Sequence, residues 1–315
     1  MNEREALRQL AASVPHAGDD AAVVDDTVIT TDMLHERTDF PPGTTRYTAG
    51  WRAVGASLSD VAAMGAEATA AVAVYADEGF DPTELDRFVA GAVAVCDAVD
   101  AEYVGGDLDN HLEFTTATTA IGAATDEGAV FRDGAEPGDA LCVTGALGRS
   151  GAALRLFERG SDEAVERANE LFRFTPRVAE GRALAGAATA MMDSSDGLAR
   201  SLHQLAEASG VGFAVDRELL PVHPAVDDVA DEGTTADIGA ADGSERSADR
   251  FELAVHFGED FELVCAVPPD TVDRLDASCP AGLTRVGTVT DPTHGVTVDD
   301  EDGTRPLPDR GYTHG

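Results

Sequence analysis

Five short stretches put carboxylates where the chain otherwise asks for burial. They are Gly18-Asp19-Asp20-Ala21-Ala22-Val23-Val24, Thr30-Thr31-Asp32, Leu58-Ser59-Asp60-Val61-Ala62-Ala63-Met64-Gly65, Val104-Gly105-Gly106-Asp107 and Met192-Asp193-Ser194-Ser195-Asp196-Gly197-Leu198. A carboxylate enters an apolar interior only when a cation or a set of hydrogen-bond donors matches it. Side-chain cations are scarce here: 22 against 59 acidic residues, a net charge of −37. All of the 22 are arginine, with no lysine anywhere in the chain. Most aspartates of so acidic a chain belong to a solvated surface; these five segments do not read that way. A hard divalent cation is the better partner for them, because Mg²⁺ takes carboxylate, hydroxyl and carbonyl oxygens and keeps room for phosphate oxygens. Two bland readings stay open at this point. Asp193 and Asp196 could serve only as caps, and Asp60 could be tied to backbone donors. The eight histidines show no ligand spacing, which argues against zinc.

The missing lysine excludes a Schiff-base lysine, a phosphate-loop lysine and a protein-kinase-type lysine. The charge argues against binding to nucleic acid or docking on an anionic membrane, since both need basic surface. Disorder fits poorly with 43% hydrophobic residues. Lysine depletion with so many acids points to a cytoplasm at molar salt, where screening shrinks to about 3 Å. No run of 18 apolar residues occurs, and the charged start Met1-Asn2-Glu3-Arg4-Glu5 lacks a signal-peptide core, so a cytoplasmic location is expected. Cys96, Cys142, Cys265 and Cys279 form no Cys-x-x-Cys pair and read as reduced core residues.

Periodicity and turn chemistry predict an α+β chain in two halves, 1–136 and 137–315, divided at the turn Gly134-Ala135-Glu136-Pro137-Gly138-Asp139. In the first half, helices are expected over 3–12, 50–64 and 82–98, and strands near 20–24, 27–31, 68–76, 101–105 and 113–124. In the second, strands are expected at 140–144, 188–193, 261–267, 283–289 and 295–299. Helices are expected after the Gly-rich turn 145–151 and over 161–173, 178–187, 196–209 and 270–277. Residues 227–250 read as an acidic surface loop. The turn Thr144-Gly145-Ala146-Leu147-Gly148-Arg149-Ser150-Gly151 follows a strand and opens a helix, so its N–H groups are a weak candidate for facing a phosphate. Ser195 is the expected N-cap of a helix beginning at Asp196.

The acidic segments, taken together with Thr31-Asp32-Met33-Leu34 and Gly258-Glu259-Asp260-Phe261-Glu262-Leu263, occur in an order that resembles the thiamine-monophosphate kinase family nearly end to end. The resemblance implies a two-domain fold of the aminoimidazole-ribonucleotide-synthetase (PurM-like) type. Its N-terminal α/β domain carries ATP and metal and pairs across a homodimer to close a β-barrel; a C-terminal α+β domain follows. It implies transfer of a phosphoryl group from ATP to thiamine monophosphate with Mg²⁺. It implies a metal shell of Asp20, Thr30, Thr31, Asp32, Asp60, Asp107, Asp193 and Asp196, nucleotide contacts at Gly106, Asp107, Arg132 and Ser195, and substrate contacts at Asp39, Glu259 and Tyr312. Two positions depart from the family pattern. Asp39 stands where histidine is usual, and Leu108 stands where threonine usually follows Gly-Gly-Asp. An acceptor phosphate is already anionic near neutral pH, so no general base and no phosphoenzyme are expected. Alternatives within the fold are an aminoimidazole-ribonucleotide synthetase or a catalytically silent nucleotide or metal sensor.

Overall fold

The computed structural model describes residues 16–230 and 250–311, with Gln9, Ser13 and Val14 besides. The expected helix at 3–12, most of the acidic 227–250 stretch, and Tyr312 fall outside the described residues.

The first half builds a five-stranded sheet in the order β1 (Ala22–Val24), β2 (Thr27–His35), β5 (Thr115–Ala123), β3 (Glu67–Asp77), β4 (Glu102–Asn110). Only β3 and β4 run parallel. A parallel pair needs a crossover, and α3 (Pro82–Asp97) supplies it. Asp81 caps α3 by accepting from the N–H groups of Thr83 and Glu84, with Pro82 in the first turn. The central helix α2 (Arg46–Ala63) begins a turn earlier than its periodicity predicts, because the Thr45 hydroxyl caps the Thr48 N–H. A four-residue helix, α1 (Glu36–Asp39), precedes it. Helices α2 and α3 cross at glycines: a Cβ on Gly91 would lie 2.0 Å from the Tyr47 carbonyl oxygen. That close approach buries α2 almost entirely against one face of the sheet.

The second half builds a seven-stranded sheet in the order β12 (Gly303–Pro306), β11 (Val296–Asp300), β8 (Gly212–Asp216), β10 (Leu283–Thr290), β6 (Ala140–Thr144), β9 (Leu263–Val267), β7 (Ala190–Asp193). Alternation along its strands feeds two cores. Cys142, Met191 and Cys265 pack on the side of α2, with Leu58, Val61 and Met64. Leu141, Met192 and Val264 pack on the other side, with Leu198, Leu202 and Leu205 of α7 (Leu198–Ser209). The remaining helices are α4 (Arg149–Arg159), α5 (Asp162–Phe172), α6 (Val178–Leu184), α8 (Arg250–Val255) and α9 (Val272–Asp276). The four cysteines are buried and unpaired, as expected. Among the described residues no helix is long and apolar enough to cross a membrane.

Candidate active site

The alternation that builds the sheets also aims the acids. On β2, Thr30 and Asp32 share the side facing α2, while Ile29, Thr31 and Met33 face the opposite, open side. Asp32 lies opposite Thr118 in register, and Ser57 of α2 bonds both, at 2.6 Å to Asp32 Oδ2 and 2.7 Å to Thr118 Oγ1. One helical turn on, Asp60 Oδ2 accepts from the Thr30 hydroxyl at 2.6 Å. Asp193 ends β7 on the side of Met191, which turns its carboxylate toward α2. There Ser59 donates to Oδ2 at 2.8 Å, while the Ser195 hydroxyl and N–H donate to Oδ1 at 2.7 and 3.1 Å. Asp20, in the segment leading into β1, receives a two-pronged contact from Arg132 at 3.1 and 3.0 Å.

Three of these carboxylates converge. One oxygen each from Asp20, Asp60 and Asp193 lies within 4.8 Å of the others. Burial pushes the Asp60 carboxyl well above its ordinary range, and the charges of Asp32, Asp193 and Asp20 add to the shift. Burial raises Asp193 to about 7, with Asp20 adding and the hydrogen bonds of Ser195 and Ser59 opposing. Arg132 is held charged: burial works against it, and Asp20 more than compensates. One guanidinium on three buried carboxylates leaves negative charge unmatched, and every donor atom is oxygen. That set fits a hard divalent cation and suits neither zinc nor a soft metal.

Beside the cluster opens a cavity of about 510 Å³ lined by Asp32, Asp60, Ser195, Asp196 and Glu259. Asp196 accepts from Gln204 at 3.2 Å, and burial raises its carboxyl. A second cavity, of about 470 Å³, adjoins it and shares Thr38, Asp39 and Glu259; Phe40, Phe157, Phe172 and Phe257 line it. Asp39 Oδ2 closes the α1 turn by accepting from the His35 N–H at 2.6 Å and the Thr38 hydroxyl at 2.9 Å.

Three expected residues stand apart from the cluster. Thr31 points to the open face, where its hydroxyl donates to the Thr118 carbonyl at 2.8 Å. Gly106 and Asp107 lie on the edge strand β4, three strand spacings from β2, about 14 Å. Asp107 pairs in register with Val74 of the open face and caps its own Leu108 N–H at 2.9 Å.

Sequence profiles of the AIR synthase related protein family match residues 18–124 (N-terminal domain) and 136–300 (C-terminal domain). A thiamine-monophosphate kinase of Halobacterium salinarum is 57% identical over 314 residues, covering all of both chains. The chain belongs to the thiamine-monophosphate kinase family. The relative from Methanospirillum hungatei is 39% identical, covering 91% of this chain and 88% of its own. Among solved structures, AaThiL complexed with AMPPCP and TMP superimposes with a TM-score of 0.83 at 26% identity, covering 100% of this chain and 99% of that one. The kinase of Stenotrophomonas maltophilia gives 0.75 at 29% identity, covering 94% and 95%. The two-domain PurM-like fold expected from the family resemblance is the one observed.

Two local expectations are corrected. The N–H groups of the turn at 145–151 do not await a phosphate, because internal acceptors occupy those of residues 145–148 and of Ser150: backbone carbonyls for Gly145 and Leu147, carboxylates for the others. Asp260 accepts from the N–H of Gly148 and, at 2.8 Å, of Ser150; Glu262 accepts from the Thr144 hydroxyl at 2.8 Å and from the Ala146 N–H at 3.4 Å. Ser195 does not cap α7, which starts at Leu198 with Gly197 as its N-cap. The Ser195 hydroxyl instead orients Asp193. Sequence reasoning also missed Ser57 and Thr118, which fix Asp32, and Arg177, which clasps Glu262 at 2.7 and 2.6 Å. A serine one turn before Asp60 on a helix of small residues was the available signal for Ser57.

Proposed function

We propose that this chain phosphorylates thiamine monophosphate to thiamine diphosphate at the expense of ATP, by direct in-line transfer at the carboxylate cluster. The observation that carries the reading is the convergence of Asp20, Asp60 and Asp193 within 4.8 Å in a family of thiamine-monophosphate kinases. These three side chains would hold Mg²⁺, with Thr30, Asp32 and Asp196 completing its surroundings. When bound, Mg²⁺ supplies the positive charge that offsets the phosphate oxygens of both substrates in a chain of −37. Ser59 and Ser195 fix the Asp193 carboxylate, and Ser57 fixes Asp32, so the oxygens are arranged before substrate arrives. Arg132 keeps one positive charge at Asp20 on the cluster's rim. The acceptor oxygen is already anionic, so no side chain removes a proton and no phosphoenzyme forms.

The open face of the first sheet supports a homodimer. Ile29, Met33, Val74 and Ile121 are 37–57% exposed there, an apolar surface that a second copy would cover. Asp107 stands beside Val74 on that face, and in such a dimer it would serve the partner's site rather than its own.

The test is product analysis in molar KCl with ATP, Mg²⁺ and thiamine monophosphate. Thiamine diphosphate and ADP are expected in equal amounts. Turnover only with formylglycinamidine ribonucleotide, or with neither acceptor, overturns the reading. A phosphorylated protein trapped with labelled ATP before acceptor is added refutes direct transfer.

A further inference from the structure

Glu259 stands where the two cavities meet, lining both the carboxylate-walled one and the aromatic one. Its backbone is left-handed at φ 62°, and so is that of Phe261 at φ 55°. Non-glycine residues keep such a conformation only where the surroundings fix it. Here the Glu259 N–H donates to the Ser195 carbonyl at 2.7 Å, and its own carbonyl accepts from the Ser150 hydroxyl at 2.5 Å and from Arg52 Nη2 at 3.2 Å. Arg52 Nη2 also pairs with Glu259 Oε2. Arg52 belongs to α2, two turns before Asp60, so one helix holds a wall of the carboxylate cluster and the anchor of Glu259.

The Arg52 side chain is 2% exposed. Its Nη1 donates to the Phe172 carbonyl at 2.8 Å, and its guanidinium lies 3.6 Å over the Phe172 ring. It is sealed away from any ligand. Glu259 Oε1, in contrast, has no hydrogen-bond partner among the described residues, and the residue lines both cavities. We propose that Arg52 is a positioning residue that locks Oε2 of Glu259 so that Oε1 faces the organic half of the acceptor. That half of thiamine monophosphate carries a permanent ring cation and an exocyclic amine. An aromatic cavity whose lining sets three carboxylates, Asp39, Glu158 and Glu259, against one guanidinium, the 78% exposed Arg37, suits such a group. The inference rests on the acceptor assigned above.

The experiment compares wild type, R52K and R52M in molar KCl. It measures KM for thiamine monophosphate and for ATP, kcat, and melting temperature. R52M is expected to raise KM for thiamine monophosphate at least tenfold while KM for ATP stays within twofold. R52K, which keeps the charge, is expected to recover most of that loss. Equal rises in both KM values, or an R52K no better than R52M at equal melting temperature, overturn the inference. If R52M does not fold, R52Q decides by the same criteria, since its amide can keep the Phe172 carbonyl bonded without supplying charge. Absence of wild-type turnover with this acceptor would instead refute the function itself.

Discussion

Replacing Asp60 by Asn separates the two things a buried carboxylate can do. In the absence of divalent cations, Asp60 should destabilise the fold. Two carboxylate oxygens of its neighbours lie within 4.8 Å of one of its own. At an effective dielectric constant of about 20, each such pair of full charges repels by about 3 kcal/mol. Partial protonation of the cluster and the guanidinium on Asp20 relieve much of this. A net gain of about 2 kcal/mol for D60N remains, or a rise of about 4–8 °C in melting temperature for domains of this size. The Asn side chain can still accept from the Thr30 hydroxyl, so no buried donor is orphaned. The assay is thermal unfolding in molar KCl, with EDTA and then with Mg²⁺, alongside kinase turnover. D60N should melt higher than wild type in EDTA, gain much less from Mg²⁺, and show no turnover. A D60N protein that melts lower in EDTA, or that keeps full activity, would refute the reasoning: Asp60 would then be a structural acceptor and not a cation ligand.

Two further expectations come from the same geometry. Burial raises the Asp60 and Asp193 carboxyls in the folded state, Asp193 to about 7, so the folded protein binds protons that the unfolded chain releases near pH 4. Stability of the metal-free protein should therefore fall as pH rises from about 4 to 7, and saturating Mg²⁺ should flatten that slope; a metal-free protein that becomes steadily more stable across this interval contradicts the assignment. Met33, 57% exposed on the open face, should tolerate M33E as a folded chain but not as a dimer. Light scattering should give the monomer mass, and an unchanged dimer would place the interface elsewhere.

The sequence made some of this legible for physical reasons. The helix at 82–98 was readable because Asp81-Pro82 marks its start with local chemistry. The strands β8 and β12 were not: the first follows Gly210 directly after a helix, and the second is a four-residue edge with every residue exposed. The convergence of Asp20, Asp60 and Asp193 joins positions 40 and 133 residues apart along the chain, so no window of sequence contains it. What the sequence did contain was the misfit of each carboxylate with its neighbours. A different signal, the Gly-rich turn between a strand and a helix, misled at Gly145 to Gly148, where the anions that take the loop's donors are Asp260 and Glu262 from the same chain. A local pattern shows that donors are offered and does not show who accepts.

The most direct test of the central claim is an anomalous difference map from crystals grown with Mn²⁺ and a non-hydrolysable ATP analogue. A manganese peak between Asp20, Asp60 and Asp193, lost in D60N crystals, is the predicted result. Manganese bound to the nucleotide phosphates alone, with those three carboxylates untouched, would contradict it.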